Sequence, residues 1–188
     1  GNACKGCPKG RYGDQVGLIT EINCKACEIG RYSGDSIGIQ LCKQCQSGRY
    51  NALTGKINVE DYKSCGAGFY TESVAQSSCK GCTAGQFQSA ASATNCKDCV
   101  PGTFNNKNEA VSCDDCMKGR HQKQKAQTSC QICPKGTYQN QNKQSECISC
   151  DKGMFSNTEE TKTVSCQECV AGRYALQPAS TSLSLIHI

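Results

Sequence analysis

One motif recurs along the whole chain: two cysteines separated by two residues, a glycine three residues after the second cysteine, and a ring two residues after the glycine. Nine copies have both cysteines, and one copy has Tyr62 in place of the first. The glycine is present in all ten copies, and the ring is tyrosine or phenylalanine in every copy except the one with His121. The ten repeats begin at residues 4, 24, 42, 62, 79, 96, 113, 130, 147 and 166. This short, regular period predicts a tandem array in which each repeat packs on its neighbours.

The 19 cysteines among 188 residues limit what these repeats can fold into. Tryptophan is absent and large aliphatic residues are few, so cross-links must replace a single apolar core. Disulfides persist in oxidising compartments, and we therefore expect an extracellular location, secreted or in the ectodomain of a surface protein. The expected fold is small and disulfide-rich: a tandem array of about ten short β-hairpin-like cysteine-rich repeats that forms an elongated rod with little or no helix.

Each motif position has a physical role. Glycine tolerates positive φ, so we expect it to turn the chain after the second cysteine. The ring is expected to lie back over the cross-link and to provide the main apolar contact of its repeat. The segments that lead to the next cysteine, such as 86–95 and 138–146, are polar and are predicted to be surface loops.

Two pairing schemes fit the cysteine count. In an interlocked scheme Cys4 pairs with Cys24 and Cys7 with Cys27; in a sequential scheme each second cysteine bonds the first cysteine of the next repeat. The sequence alone leaves both open. The bridges of the sequential scheme are Cys7–Cys24, Cys27–Cys42, Cys65–Cys79, Cys82–Cys96, Cys99–Cys113, Cys116–Cys130, Cys133–Cys147 and Cys150–Cys166.

The sequential scheme leaves Cys4, Cys45 and Cys169 unpaired within the sequence. Cys45 has no partner because Tyr62 occupies that position, and its expected state is a free thiol or an intermolecular bridge, unless Tyr62 is itself a sequencing error. Cys4 and Cys169 are expected to find partners beyond the two ends, so we interpret 1–182 as repeats truncated at both ends. The apolar segment 183–188 back-translates to CTG TCT CTT ATA CAC ATC, which resembles a transposase adapter, and we expect it to be adapter-derived.

Other chemistries of paired cysteines fit less well. Four-cysteine zinc sites use the same local spacing, but zinc gives no reason for a glycine and a ring after every pair, so a multi-zinc protein remains a remote alternative. Redox catalysis requires a single pair at a helix start, and hydrolase chemistry requires a histidine base, whereas His121 fills a ring position. We therefore expect no enzyme activity, no metal and no cofactor.

All five arginines lie between the repeat glycine and its ring. One interpretation is a basic stripe that meets acidic glycans or an acidic protein; the other is that the long arginine stem covers the disulfide or stacks on the ring. The net charge of +5 is dispersed, which argues against nucleic-acid binding, and no stretch has the length of a membrane span. The candidate stripe consists of Arg11, Arg31, Arg49, Arg120 and Arg173.

The motif resembles the ephrin-receptor-like cysteine-rich repeat and the first module type of tumour-necrosis-factor-receptor cysteine-rich domains. The segments from Cys82-Thr-Ala-Gly-Gln-Phe87 to Cys96 and from Cys133-Pro-Lys-Gly-Thr-Tyr138 to Cys147 carry this resemblance most closely. In the receptor modules the cysteine before Gly-x-Tyr pairs with the next downstream cysteine, which supports the sequential scheme. The chain departs from those receptors because it has ten similar repeats without other module types, as in large surface or secreted proteins of protists and algae.

The resemblance implies an extracellular binding or adhesive region. The first functional class is a disulfide-laddered stalk or ectodomain segment for adhesion or ligand display, with an extracellular protein or glycan as partner. The alternative is a subunit of an extracellular filament or surface coat that assembles with its own copies.

Overall fold

The computed structural model describes residues 4–15, 21–156, 164–175, 177–179 and 184–185. Within these ranges the chain forms ten two-stranded antiparallel sheets, two 3-10 turns (Glu21–Asn23 and Val59–Asp61) and no α-helix. The antiparallel pairs are β1 (Arg11–Tyr12) with β2 (Lys25–Ala26), β3 (Arg31–Tyr32) with β4 (Lys43–Gln44), β5 (Arg49–Tyr50) with β6 (Lys63–Ser64), β7 (Phe69–Tyr70) with β8 (Lys80–Gly81), β9 (Gln86–Phe87) with β10 (Lys97–Asp98), β11 (Thr103–Phe104) with β12 (Asp114–Asp115), β13 (Arg120–His121) with β14 (Gln131–Ile132), β15 (Thr137–Tyr138) with β16 (Ile148–Ser149), β17 (Met154–Phe155) with β18 (Gln167–Glu168) and β19 (Arg173–Tyr174) with β20 (Ser184–Leu185).

Each hairpin joins two successive motifs. In the first nine hairpins the first strand contains the ring of one repeat, and the second strand begins just after the first cysteine position of the next repeat. The ring and the residue after that position face each other in the register, as Tyr138 and Ile148 do. The predicted small disulfide-rich repeat fold, with hairpins and little helix, is therefore confirmed.

The disulfides follow the sequential scheme. All eight bridges of that scheme are present, each between cysteines 14 to 17 residues apart with Cα atoms 5.7 to 5.8 Å apart. Cys4, Cys45 and Cys169 are free thiols. The interlocked alternative is not the pairing of this structure, and the sixteen bridged cysteines are not available as zinc thiolates.

The chain divides into two compact units, one made of Gly1–Cys82 with Gln88–Cys96 and the other of Thr83–Phe87 with Lys97–Ile188. The core of each is a row of buried second cysteines rather than a cluster of aliphatic side chains. In the first unit Cys27, Cys65 and Cys82 are at most 1 % exposed, and in the second Cys99 and Cys116 are fully buried. The bridges thus occupy the place that an apolar core fills in larger domains.

Backbone hydrogen bonds tie each repeat to its neighbours. In the second compact unit the amide of Gly102 donates to the carbonyl of Gln122 at 2.7 Å, one repeat further on. The amide of Lys143, which lies two repeats after Gly102, donates to the carbonyl of Cys116 in the repeat between them at 2.7 Å. In the first unit the amides of Gly48 and Ser92 make the same bonds, to Thr71 and Cys65. These bonds satisfy backbone groups that short hairpins leave unpaired.

The repeat glycines have the predicted positive φ, between +75° and +87° in all ten copies. At Gly102 a second constraint applies, because a Cβ built there would lie 2.3 Å from the carbonyl oxygen of Lys143. Glycine is therefore required at this position both for its backbone conformation and for the close approach of the loop two repeats further on.

The position after the ring is a second, polar row of the core that the motif did not reveal. It is buried in nine consecutive repeats, and eight of the nine residues are polar. In repeats with glutamine the side chain holds its own return loop: Gln139 Nε2 donates to the carbonyl of Glu146 at 2.8 Å, and Gln139 Oε1 accepts from the amide of Gln141 at 3.0 Å. The row consists of Ser33, Asn51, Thr71, Gln88, Asn105, Gln122, Gln139, Ser156 and Ala175.

The last sheet includes part of the segment that we expect to be adapter-derived. Ser184–Leu185 pairs with Arg173–Tyr174, at the place where the other hairpins have the residues after a first cysteine. Residues 183 and 186–188 of that segment lie outside the described residues. Its origin therefore stays a prediction.

Candidate functional site

The hairpin strands carry the exposed charges that could meet a partner. In five successive hairpins a lysine faces the ring across the strand pair, and all five lysines are exposed. Sequence reasoning missed this row, although the residue after the first cysteine position is lysine in each of the first six repeats. The facing pairs are Tyr12 with Lys25, Tyr32 with Lys43, Tyr50 with Lys63, Tyr70 with Lys80 and Phe87 with Lys97.

Two of these lysines are held by carboxylates of their own hairpin. Lys25 Nζ lies 2.7 Å from Asp14 Oδ2, and this hydrogen bond raises the pKa of Lys25 and lowers the pKa of Asp14. Lys80 Nζ lies 3.1 Å from Glu72 Oε1, which likewise raises the pKa of Lys80. Exposed pairs of this kind contribute little to the stability of a fold, since solvent screens the two charges.

The arginines of the predicted stripe occupy equivalent positions at the start of strands β1, β3, β5, β13 and β19. Three of them bind within their own hairpin, where Nη1 donates to the carbonyl of the cysteine that returns from the loop. The acceptors are Cys24 at 3.0 Å for Arg11, Cys42 at 3.5 Å for Arg31, and Cys130 at 3.2 Å for Arg120. Arg49 and Arg173 are exposed. Three of the five guanidinium groups therefore support their own hairpins.

A shallow cleft lies beside the third hairpin in the first compact unit. Its volume is about 290 Å³, and its walls include the ring of Tyr50, the side chain of Leu53, and the charged groups of Lys56, Asp61 and Lys63. Lys56 Nζ and Asp61 Oδ1 are 3.6 Å apart. Small-molecule sites span roughly 300 to 1,000 Å³. The cleft therefore suits one side chain or one sugar ring better than a whole cofactor.

The unpaired Cys45 is buried. Cys45 is 1 % exposed, and its Sγ lies 3.4 Å from the carbonyl oxygen of Gln46. Burial raises the pKa of this thiol. Tyr62 stands where the partner cysteine would be, is 5 % exposed, and packs edge-on against Tyr32 with ring centroids 5.3 Å apart. The tyrosine ring thus fills the space of the missing bridge, and Cys45 has no access to a cysteine of another chain in this conformation.

His121 lies against a disulfide. Its Nδ1 is 3.2 Å from the Sγ of Cys147, which is bonded to Cys133. The imidazole nitrogen and the two sulfurs all lie within 4.8 Å of one another. The ring of His121 therefore contacts the bridge that starts one repeat further on. Tyr32 makes the equivalent contact two repeats along the chain, where the first-cysteine position is occupied by Tyr62.

Ten hairpins, eight bridges in sequential order and hydrogen bonds between neighbouring repeats define a class: the chain is an array of cysteine-rich repeats. The model of the family described as tyrosine-protein kinase ephrin type A/B receptor-like matches residues 102–143, 123–162 and 136–185. The chain is similar to that family over this segment, which confirms the resemblance that the motif indicated. No curated protein matches the chain.

Receptor-like repeats and a ladder of disulfides together suggest an extracellular scaffold of the ectodomain type. Modules of this kind are typically non-catalytic. None of the helical segments in the described part of the chain has the length or hydropathy that a membrane crossing requires.

Proposed function

We propose that the chain is a stalk or ectodomain segment of an extracellular protein, and that it displays binding surfaces for adhesion or ligand capture rather than catalysing a reaction. The observation that carries this proposal is the hydrogen-bond ladder between repeats, together with a disulfide in eight of the ten described hairpins. A hairpin with a bridge is held by its neighbours and by that bridge, so its outward side chains are free to vary without loss of the fold. A surface of this kind serves recognition.

The proposed partner is an acidic extracellular protein or an acidic glycan. Three hairpins of the first compact unit each carry an arginine, a lysine and a tyrosine ring, and in the second of them Tyr32 faces Lys43 and follows Arg31. Cations attract carboxylate and sulfate groups, and a partly exposed ring provides a face for a sugar or an apolar side chain. The cleft beside Tyr50 offers a pocket of matching size.

The test is binding to glycan arrays and to immobilised acidic proteins after all five arginines are changed to glutamine. That change lowers the net charge from +5 to 0. A matched control carries five Lys→Gln changes outside the hairpin strands and has the same net charge. We expect the arginine variant to lose binding and the control to keep it, whereas equal behaviour of the two variants would refute a specific basic surface. The control lysines are Lys9, Lys107, Lys118, Lys125 and Lys152.

A second candidate function is a subunit of an extracellular filament or surface coat. The observation that favours it is that Cys4 is an exposed free thiol and Cys169 a half-buried one. Thiols in such positions can form bridges between chains in an oxidising compartment. Light scattering and non-reducing electrophoresis of the oxidised protein should show covalent oligomers that disappear in a Cys4→Ser, Cys169→Ser variant. A monomeric wild-type protein would exclude assembly through these thiols.

A further inference from the structure

One disulfide of the ladder differs from the others in its surroundings. The ring position holds a phenol or a phenyl group in nine repeats and the imidazole of His121 in one. Its Nδ1 lies 3.2 Å from Cys147 Sγ, and the Sγ of Cys133 is within 4.8 Å of the ring nitrogen. Imidazole is the side chain that gains a proton between about pH 8 and 5. An ionisable base is therefore in direct contact with this bridge.

Two charged side chains, Glu146 and Lys123, lie close to the imidazole. Glu146 precedes Cys147 in the chain, and its carboxylate interacts with His121. Lys123 Nζ binds the Glu146 carboxylate at 2.9 Å, and this bond lowers the pKa of Glu146, to which His121 contributes less. The carboxylate therefore stays ionised beside the imidazole. Across the strand pair His121 faces the uncharged Gln131.

We propose that the Cys133–Cys147 bridge is a thiol-exchange site, at which a small-molecule thiol or dithiol forms a mixed disulfide with the chain. Cys147 is half-buried whereas Cys133 is 1 % exposed, so the incoming thiolate attacks the Cys147 sulfur. A bond forms between the thiol sulfur and Cys147 Sγ, the Cys133–Cys147 bond breaks, and its electron pair leaves on Cys133 Sγ. With a dithiol, the second thiol group then attacks the dithiol sulfur that is bonded to Cys147. Cys147 leaves as a thiolate, and the dithiol is released as a cyclic disulfide.

When it carries a proton, the imidazole assists both steps because each leaving thiolate lies near it. A thiol beside a protonated histidine has a lowered pKa, and a thiol of lower pKa is a better leaving group. We take a fall of about one to two units in the pKa of the leaving thiol and a Brønsted coefficient of about 0.5 for the dependence of the exchange rate on that pKa. Exchange then becomes about three- to tenfold faster. Exchange at this bridge also releases the loop of Lys143, whose amide binds Cys116 in the preceding repeat.

The bridge Cys99–Cys113 is a matched control in the same compact unit. Its cysteines are also 14 residues apart, Cys99 is fully buried and Cys113 is half-buried like Cys147. Phe87 stands as far before Cys113 as His121 does before Cys147, and both rings are half-buried. The two bridges thus offer similar access to a thiol and differ in the ring.

The experiment is partial reduction of the oxidised protein with dithiothreitol, followed by acid quenching, alkylation and peptide mass spectrometry. We expect Cys133 and Cys147 to be alkylated about three- to tenfold faster than Cys99 and Cys113. The His121→Phe variant should lose this difference, and phenylalanine at three other ring positions shows that the fold accepts it. The Phe87→His variant should transfer the faster exchange to Cys99–Cys113.

The pH dependence separates charge from accessibility. The thiolate fraction of dithiothreitol cancels when the wild-type rate is divided by the His121→Phe rate at the same pH. This ratio should rise as the pH falls from 8 to 6, because histidine side chains in general change charge between about pH 8 and 5. Equal rates in the two proteins, or a ratio that does not change with pH, would overturn the proposal.

Discussion

Replacing Gly102 with alanine tests whether contacts between second-neighbour repeats hold the array together. The new Cβ would lie 2.3 Å from the carbonyl oxygen and 2.6 Å from the carbonyl carbon of Lys143, whereas real Cβ contacts are essentially never shorter than 3.0 Å. The obstacle is backbone, so the return loop has to move away. Moving it breaks the bond of the Lys143 amide to the Cys116 carbonyl.

Two costs add up at Gly102. Alanine at a φ of +83° is disfavoured by about 1 to 2 kcal/mol, and a lost backbone hydrogen bond costs about 1 kcal/mol. Gly153 has a φ of +78°, and none of the described atoms lies within 4 Å of a Cβ built there, so alanine at that position incurs the first cost alone. Gly66 has neither constraint, and its alanine variant should be neutral.

Amide hydrogen exchange at Lys143 is the appropriate measurement, because repeat arrays do not unfold in a single two-state step. A loss of about 2 to 3 kcal/mol lowers the protection of this amide by about 30- to 150-fold in Gly102→Ala. Protection should fall by no more than the positive-φ cost in Gly153→Ala and should be unchanged in Gly66→Ala. Unchanged protection of the Lys143 amide in Gly102→Ala would show that the close approach does not stabilise the array.

Further predictions concern the polar row, the buried thiol and the ladder. Gln139→Ala removes the donor to the Glu146 carbonyl and should destabilise the return loop by about 1 to 3 kcal/mol. Asn140→Ala, at an exposed position, should change the stability of that loop by less than about 0.5 kcal/mol. Hydrogen exchange of residues 140–146 distinguishes the two variants. Iodoacetamide should label Cys45 only after denaturation, and rapid labelling of the native protein would contradict its burial. Burial raises the pKa of this thiol, so the stability that it contributes is present below the pKa of the unfolded thiol, about 8.5, and is lost as the pH rises further. The denaturation midpoint should therefore fall less between about pH 8.5 and 10 in Cys45→Ser than in the wild type. Full reduction should abolish the ordered structure by circular dichroism, since each closed loop contributes about 3 kcal/mol, and a chain that stays folded would disprove the central role of the bridges.

The motif was sufficient to predict the hairpins and the turn at each glycine, because these depend on residues close together in the sequence. The pairing of Cys99 with Cys113 followed from the same local spacing once the family resemblance was added. The contact of Gly102 with Lys143 was not predictable in this way, since it depends on how far successive repeats advance and rotate, and no single motif contains that information.

The same distinction between local sequence and the packing of repeats applies to the candidate sites. The sequence placed Arg120 between the repeat glycine and the ring, but its bond to the Cys130 carbonyl depends on side-chain geometry that the sequence does not specify. The row of buried polar residues after the ring was visible in principle, because a column of Ser, Thr, Asn and Gln at one fixed position differs from the more varied loop residues that follow. The contact of His121 with Cys147 could not be anticipated, since the ring was expected to cover the cross-link of its own repeat.

The reach of the Lys143 loop past its nearest neighbour has a consequence for how such arrays gain cooperativity. A one-dimensional description with only intrinsic and nearest-neighbour terms treats every added repeat alike once two are present. Here a second-neighbour term is required, because the carbonyl of Lys143 abuts Gly102 across an intervening repeat. Three consecutive repeats are then the shortest piece that contains every type of stabilising contact, and the first large gain in stability of an excised piece should come with its third repeat rather than its second.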